Sequence, residues 1–360
     1  MSWTRHLRPS LADLTVYDVP PKVAHARLHA NECSEPWTPE VMSALAEVVR
    51  GLELSRYPDT SGRSLRKVLG QRHDCDPDRI VLGNGSDEVI AMLLTALSGP
   101  PDRLARVVTP SPTFVMYRHT ARVLGLEVVE VPLDERFALR EGAMHDALHD
   151  AALCFLARPN NPTGSLWDAA VIERLWAAHP DTVFVIDEAY VAYAPGASLW
   201  RPDLPDNVVL MATLSKVGLA ALRVGYAIAH PTLAHALNKV RHPYNVSSTS
   251  LALAEAVLSR FSDQMQAMID RTIENRGRLV ELLAELPGAE VFDSSGNLAL
   301  VRLAQADEPR RLAAFLAEHS VLIKDVSKVP TLEGCVRISV GTDEDLDRLE
   351  AALGHWDAAR

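Results

Sequence analysis

Two apolar, β-branched stretches of the chain end in groups capable of covalent chemistry. In Val183-Phe184-Val185-Ile186-Asp187-Glu188-Ala189-Tyr190 the run finishes on a carboxylate, and in Thr213-Leu214-Ser215-Lys216 a later strand finishes on an amine beside two hydroxyls. Open parallel sheets bind ligands at the carboxyl ends of their strands, so both groups stand where a site is expected. Taken singly, each has an ordinary reading: Asp187 as a loop or helix-cap residue, Lys216 as a solvated lysine. Lysine is scarce, however, being confined to Lys22, Lys67, Lys216, Lys239, Lys324 and Lys328. An amine that forms an imine, together with an anion that keeps a pyridine nitrogen protonated, is what pyridoxal 5′-phosphate chemistry requires. Lys216 and Asp187 supply that pair.

The same cofactor needs a phosphate cradle. Leu82-Gly83-Asn84-Gly85-Ser86-Asp87 passes from a strand through a flexible turn into a helix, whose first backbone N–H groups can receive an anion. A Gly-Asn-Gly turn by itself is usually only a turn. Arg223, beyond Lys216 in the sequence, offers a bidentate phosphate contact. Pro159-Asn160-Asn161-Pro162-Thr163-Gly164 turns sharply after a strand and presents the Asn161 amide to the ring's phenolic oxygen, which the Tyr190 hydroxyl also suits. Phe114, in Pro112-Thr113-Phe114, offers an aromatic face for stacking on the pyridine ring.

These groups have to be positioned by a sheet. Short β-branched runs alternate with helical patterns through the middle of the chain, the signature of parallel strands joined by helices. Strands are expected at 80–82, 106–109, 127–131, 153–157, 183–187, 208–212 and 224–229, with helices such as 87–97 and 169–178. A long helical stretch over 249–286 closes at Pro287-Gly288. Beyond it the pattern becomes that of a small α+β unit: 289–303, a helix near 309–319, strands at 321–325 and 335–340, and a final helix from Asp343. The fold class is therefore α/β, a mostly parallel sheet flanked by helices with a smaller α+β domain. The expected division is an N-terminal arm over 1–40, a large domain over 41–275 and a small domain over 276–360. The proline-rich arm is expected to pack on the small domain or on a partner.

Composition narrows the class. The 360 residues are 48% hydrophobic and 23% charged, with 36 Lys and Arg against 47 Asp and Glu, a formal net charge of −11. That balance fits an ordinary globular enzyme and excludes a basic nucleic-acid surface. No run approaches the roughly 20 apolar residues of a membrane span, and no targeting signal is evident, so a cytoplasmic protein is expected. Cys33, Cys75, Cys154 and Cys335 lack the spacing of a zinc site or a disulfide framework. His25 with His29, and His145 with His149, are four apart, but each pair wants a third ligand and no metal is expected. The acidic run at 343–350 reads as a solvated helix face.

In order along the chain, GNGSDE, NPTG, DEAY, SK followed by LRVGY, and VRISVGT together resemble the fold type I pyridoxal-phosphate aminotransferases. LRPSL…YDVP, HANE, RYPD, PTFVMYR and RHPYNV make the chain similar, within that group, to the histidinol-phosphate aminotransferase family. The resemblance covers nearly the whole chain. It implies that Lys216 forms the Schiff base, Asp187 pairs with the pyridine nitrogen, and Asn161 and Tyr190 contact the phenolic oxygen, with Phe114 stacked on the ring. Ser86, Ser215 and Arg223 would hold the phosphate, joined by Tyr57 from the neighbouring subunit of a homodimer, and Gly85, Asp87 and Thr213 would also bind the cofactor. Arg337 would bind the substrate carboxylate, with Asn31, Tyr17, Tyr57 and Asn161 also on the substrate side. The implied reaction exchanges an amino group between L-histidinol phosphate and 2-oxoglutarate. An aromatic amino-acid aminotransferase and a pyridoxal-phosphate-dependent threonine-phosphate decarboxylase carry similar motifs; a non-catalytic binding module would travel with a DNA-binding segment, which is not seen. Three positions depart from the family pattern: the stretch from Lys216 to Arg223 is one residue shorter than is common, Cys33 replaces an asparagine, and Lys324 stands where arginine is common.

Overall fold

The structure is a computed structural model that describes residues 2–11, 14, 24–100 and 104–359. From the N-terminus come β1 (Ala26–Arg27), α1 (Pro39–Arg50), α2 (Arg63–His73), β2 (Ile80–Asn84), α3 (Ser86–Ala96), β3 (Arg106–Ser111), α4 (Val115–Leu124) and β4 (Glu127–Pro132). Next are α5 (Glu141–Leu148), β5 (Ala151–Ala157), α6 (Ala169–Ala178), β6 (Val183–Asp187), β7 (Val208–Thr213), β8 (Val224–Ile228), α7 (Pro231–Val240), α8 (Ser248–Arg260) and α9 (Ser262–Ala284). The chain ends with β9 (Glu290–Val291), β10 (Leu298–Arg302), α10 (Glu308–Glu318), β11 (Val321–Leu322), β12 (Lys324–Asp325), β13 (Cys335–Ser339) and α11 (Asp343–Ala359).

A seven-stranded sheet in the order β2-β8-β7-β6-β5-β3-β4 forms the centre. Its strands alternate between two buried faces, as a period of two requires. Phe184, Ile186, Val208 and Leu210 face the side covered by α1, α2, α5, α6 and α8, while Val185, Val209, Met211 and Phe155 face α3, α4 and α7. Burying each such side chain contributes about 1.5–3 kcal/mol. With both faces covered, the runs read as continuously apolar until each strand ends, and there polar chemistry becomes possible. All pairings among β3 to β7 are parallel, which sends β6 and β7 out at the same edge.

Four points refine the sequence reading. The strand at 224–229 is antiparallel to both β7 and β2. It arrives by a short loop from β7 rather than by a helical crossover, and a short connection favours antiparallel pairing. The helix expected over 249–286 is two helices broken at Phe261, which has φ −128° and ψ 24° and ends α8 as it begins α9. The apolar periodicity runs through the bend because Phe261 itself packs on the core. The run at 321–325 is two strands: β11 pairs in parallel with β1, and β12 pairs with β13 in a four-stranded sheet of order β12-β13-β10-β9. Finally, the arm before α1, expected to pack on the small domain or on a partner, contributes β1, which pairs with β11, and two short 3-10 turns precede it.

Helix α9 ties the two sheets together. Met265 and Ile269 pack with the central sheet, whereas Leu279 and Leu283 pack with Ala299, Val301, Val336 and Leu349 around the second one. The boundary expected at 275/276 falls within this continuous helix.

Candidate active site

The carboxyl ends of β6 and β7 open into a cavity of about 320 Å³. Asp187, the last residue of β6, shares the sheet face of Val185 and so points toward α4. Its carboxylate is buried, 4% exposed, and accepts hydrogen bonds from the Tyr117 hydroxyl at 2.5 Å and the Ala189 N–H at 3.0 Å. Burial pushes this carboxyl up to about 6, an effect that the Tyr117 and Ala189 bonds partly offset. Burial and the adjacent Asp187 push the Tyr117 phenol well above its ordinary range, so it remains a donor. Lys216 follows β7 on a single 3-10 turn shaped by Thr213, whose Oγ1 accepts the Ser215 N–H at 3.1 Å. The Lys216 ammonium lines the same cavity, donates to the Ala30 carbonyl at 3.3 Å and lies 5.8 Å from the Tyr190 ring centroid.

The floor at the N-terminus of α3 is built for an anion. Gly85 caps that helix at φ 78°, and an added Cβ would come within 2.6 Å of Arg223 Nη2. Gly225 of β8 lies beneath, where a Cβ would meet the Gly85 carbonyl carbon and the Ser86 nitrogen at 2.4 Å. Only glycines let the strand, the helix terminus and the guanidinium approach so closely. Arg223 Nη1 donates to Ser215 Oγ at 3.3 Å and Nη2 to Asp87 at 3.2 Å. The short stretch from Lys216 to Arg223 turns back through Gly218 at φ 91° and Arg223 itself at φ 52°.

The opposite wall comes from the N-terminal segment and the second sheet. Asn31, in the left-handed region at φ 53°, is clamped by Ser339: its N–H donates to Ser339 Oγ at 2.8 Å, and that hydroxyl donates to Asn31 Oδ1 at 3.0 Å. The amide nitrogen is thereby aimed at Tyr190 Oη, 3.1 Å away. Since Tyr190 accepts there, its own proton is free to be donated into the cavity. Arg337 of β13 donates to Asn161 Oδ1 at 2.7 Å and also to the His29 carbonyl, and its cross-strand neighbour is Lys324. Both cations line the cavity, together with His29, whose pKa is lowered by burial.

Of the residues singled out in the sequence, Lys216, Asp187, Tyr190, Ser86, Asp87, Phe114, Asn161, Thr213, Ser215, Arg223, Arg337 and Asn31 all line this one cavity, with Gly85 at its rim. Tyr57 does not: it is 79% exposed and stacks on Tyr244 at 4.5 Å. Tyr17 lies outside the described residues. Cys33 packs near Thr272 of α9, away from the lining. Besides three alanines, the lining holds three side chains to which the sequence assigns no role: Tyr117, His29 and Lys324. The signal for Tyr117 was its place one helical turn after Phe114, a spacing that puts both side chains on one face. His29 sits in a turn and His149 lies beyond the end of α5, so neither of the two histidine pairs lies along one helix face.

The residues present fit pyridoxal 5′-phosphate. The glycine-lined floor leaves room for an anion beside Arg223, and the buried Asp187, held by two neutral donors among the described residues, suits a pyridinium N–H. Phe114 supplies a flat apolar surface between the two.

The model of the family described as aminotransferase class I and II matches residues 26–353. Histidinol-phosphate aminotransferase 1 of Burkholderia lata is 40% identical over 354 residues, 96% of either chain. Histidinol-phosphate aminotransferase of Hydrogenobaculum sp. is 35% identical, with 94% of this chain and 95% of that one covered. The crystal structure of histidinol-phosphate aminotransferase from Sinorhizobium meliloti in complex with pyridoxal-5′-phosphate superposes with a TM-score of 0.83 at 28% identity, covering 96% of this chain and 95% of that one. A cavity uniting an amine, a buried carboxylate and an anion cradle, in a chain matched almost end to end, has one family explanation: this chain belongs to the class I and II aminotransferases.

Proposed function

We propose that this aminotransferase uses pyridoxal 5′-phosphate to move an amino group from L-histidinol phosphate to 2-oxoglutarate, yielding imidazole acetol phosphate and glutamate in histidine biosynthesis. The observation that carries the reading is the convergence of Lys216, Asp187 and Arg223 on one cavity. The substrate assignment draws on the name shared by the curated relatives and on the paired cations Arg337 and Lys324 across the cavity.

When bound, pyridoxal 5′-phosphate supplies an aldehyde that captures amines and a protonated ring that withdraws electrons from the substrate carbon. Lys216 Nζ would hold it covalently and, as a free amine in the same cavity, would serve as the base that moves the substrate's α-proton. Asp187 holds the proton on the pyridine nitrogen. Tyr190 and Asn161 donate to the phenolic oxygen, and Phe114 covers a ring face. Ser86, Ser215 and Arg223 would hold the phosphate, with Gly85, Asp87 and Thr213 binding the cofactor beside them. Arg337, with Asn31 and Tyr17, receives the anionic end of either substrate, the phosphate of one and a carboxylate of the other.

The reading includes a homodimer in which Tyr57 contributes to the partner's phosphate site, supported by the exposure of the Tyr57 and Tyr244 stack. It also includes the division into an arm, a large domain and a small domain at 40/41 and 275/276, and a cytoplasmic enzyme, in keeping with four free cysteines. Incubating the purified enzyme and cofactor with 2-oxoglutarate and one donor at a time tests the substrate. Glutamate should form with L-histidinol phosphate. Faster turnover of phenylalanine, or carbon dioxide released from threonine phosphate, would overturn the assignment.

A further inference from the structure

The Asp187 carboxylate is held by two donors, and the shorter bond comes from α4. We infer that Tyr117 is a positioning residue acting through Asp187, fixing the carboxylate's orientation and keeping its charged form available to the pyridine nitrogen of the bound cofactor. The inference rests on the cofactor reading above.

At 2.5 Å, the contact from the Tyr117 hydroxyl to Asp187 Oδ2 lies at the short end for a phenol donating to a carboxylate. The donor cannot swing away. Its ring is fully buried, lies 4.7 Å from Phe155 at an interplanar angle of 9°, and meets the edge of Phe114 at 5.5 Å and 84°. Phe114 is the N-cap of α4 and Tyr117 is in its first turn, so one helix start sets both the ring cover and the phenol. With Oδ2 taken by Tyr117 and Oδ1 by the Ala189 N–H, rotation of the carboxylate would break two bonds in an apolar setting.

Charge points the same way. The ionisable groups that act on Asp187 are Asp87 at the start of α3, Lys216 after β7, and Tyr117; Asp187 in turn raises its neighbour Glu188. Tyr190 acts on the Tyr117 phenol. Asp87 favours the neutral carboxyl, as burial does; Lys216 and Tyr117 oppose them. Without the phenol, the Ala189 N–H is the one remaining hydrogen bond to the carboxylate among the described residues. A protonated Asp187 no longer offers the pyridine nitrogen an anion, and the electron sink weakens.

The test compares wild type with Tyr117→Phe, which keeps the aromatic stack, by NMR of cofactor labelled with 15N in its ring and by kcat. A wild type that binds no cofactor would count against the cofactor reading itself. Given a wild-type protein with a protonated ring nitrogen, Tyr117→Phe should still fold, by near-ultraviolet circular dichroism, and still bind cofactor. Its 15N signal should move toward the unprotonated position, and its kcat should fall about ten- to a hundredfold. In an Asp187→Asn background the same substitution should change kcat less than about twofold, because its partner charge is gone. An unmoved 15N signal, or an equal loss of kcat in that background, would overturn the inference. Should Tyr117→Phe fail to fold, Tyr117 labelled with fluorine at the ring position beside its hydroxyl gives the second readout: the lowered phenol pKa should change the 15N signal only where Asp187 is present, and no change would equally overturn it.

Discussion

At the scale of single residues, the account turns on one amine and one buried acid. Replacing Lys216 with alanine should lower kcat by at least about a thousandfold and abolish the visible absorbance of covalently held cofactor, measured by stopped-flow and by spectrum. Asp187 makes a prediction about the protein stripped of cofactor. Its carboxyl is raised by burial from 3.8 to about 6, so the folded protein holds that proton more tightly than the unfolded chain. The stabilisation is complete below about pH 4 and disappears as pH rises through about 6, a loss on the order of 3 kcal/mol. Urea denaturation of the stripped Asp187→Asn variant between pH 4 and 7 should show a correspondingly smaller fall than wild type. Both residues were legible because each ends an apolar run, where a charged group has few structural reasons to be. Tyr117 was not. An aromatic residue at helical spacing reads as core, and only the fold shows its hydroxyl meeting a carboxylate seventy positions away.

At the scale of elements, the anion cradle depends on β8 and the start of α3 touching without side chains between them. Gly225→Ala would drive a methyl group into the backbone of Gly85 and Ser86. It should cost about 1–3 kcal/mol of stability and weaken cofactor binding at least about tenfold, read by denaturation and by titration. Gly277 is the contrast: it lies inside α9 with nothing within 4 Å of an added Cβ. Gly277→Ala should stabilise the protein by about 0.5–1 kcal/mol and leave cofactor affinity unchanged. Strand positions were readable from β-branched runs, and β6 begins and ends where the pattern said. Direction and partners were less readable. Nothing local in Val224–Ile228 distinguishes an antiparallel strand, and the change of partner at Ile323, between β11 and β12, is a property of two sheets rather than of one segment.

At the scale of the molecule, a site that draws on two sheets and the N-terminal segment is joined by α9 and closed by Asn31, Arg337 and Lys324. The proposed dimer would add a component from outside the single chain: Tyr57, named from resemblance, is exposed on the surface here. Two variants, each expected to lose activity on its own, test it. Mixing Tyr57→Ala with Lys216→Ala subunits creates hybrids in which one site keeps its own Lys216 and the partner's tyrosine. Random reassociation should restore about a quarter of the wild-type sites, measured as kcat per total subunit. No recovery above the sum of the parents would place Tyr57 outside the partner's site.

The central claim is that Lys216 alone among the lysines carries the cofactor. Borohydride reduction of the enzyme loaded with pyridoxal 5′-phosphate, followed by peptide mass mapping, reads this directly. The account predicts a single pyridoxyl adduct on Lys216; an adduct on Lys324 or any other lysine in its place, or none at all, would contradict it.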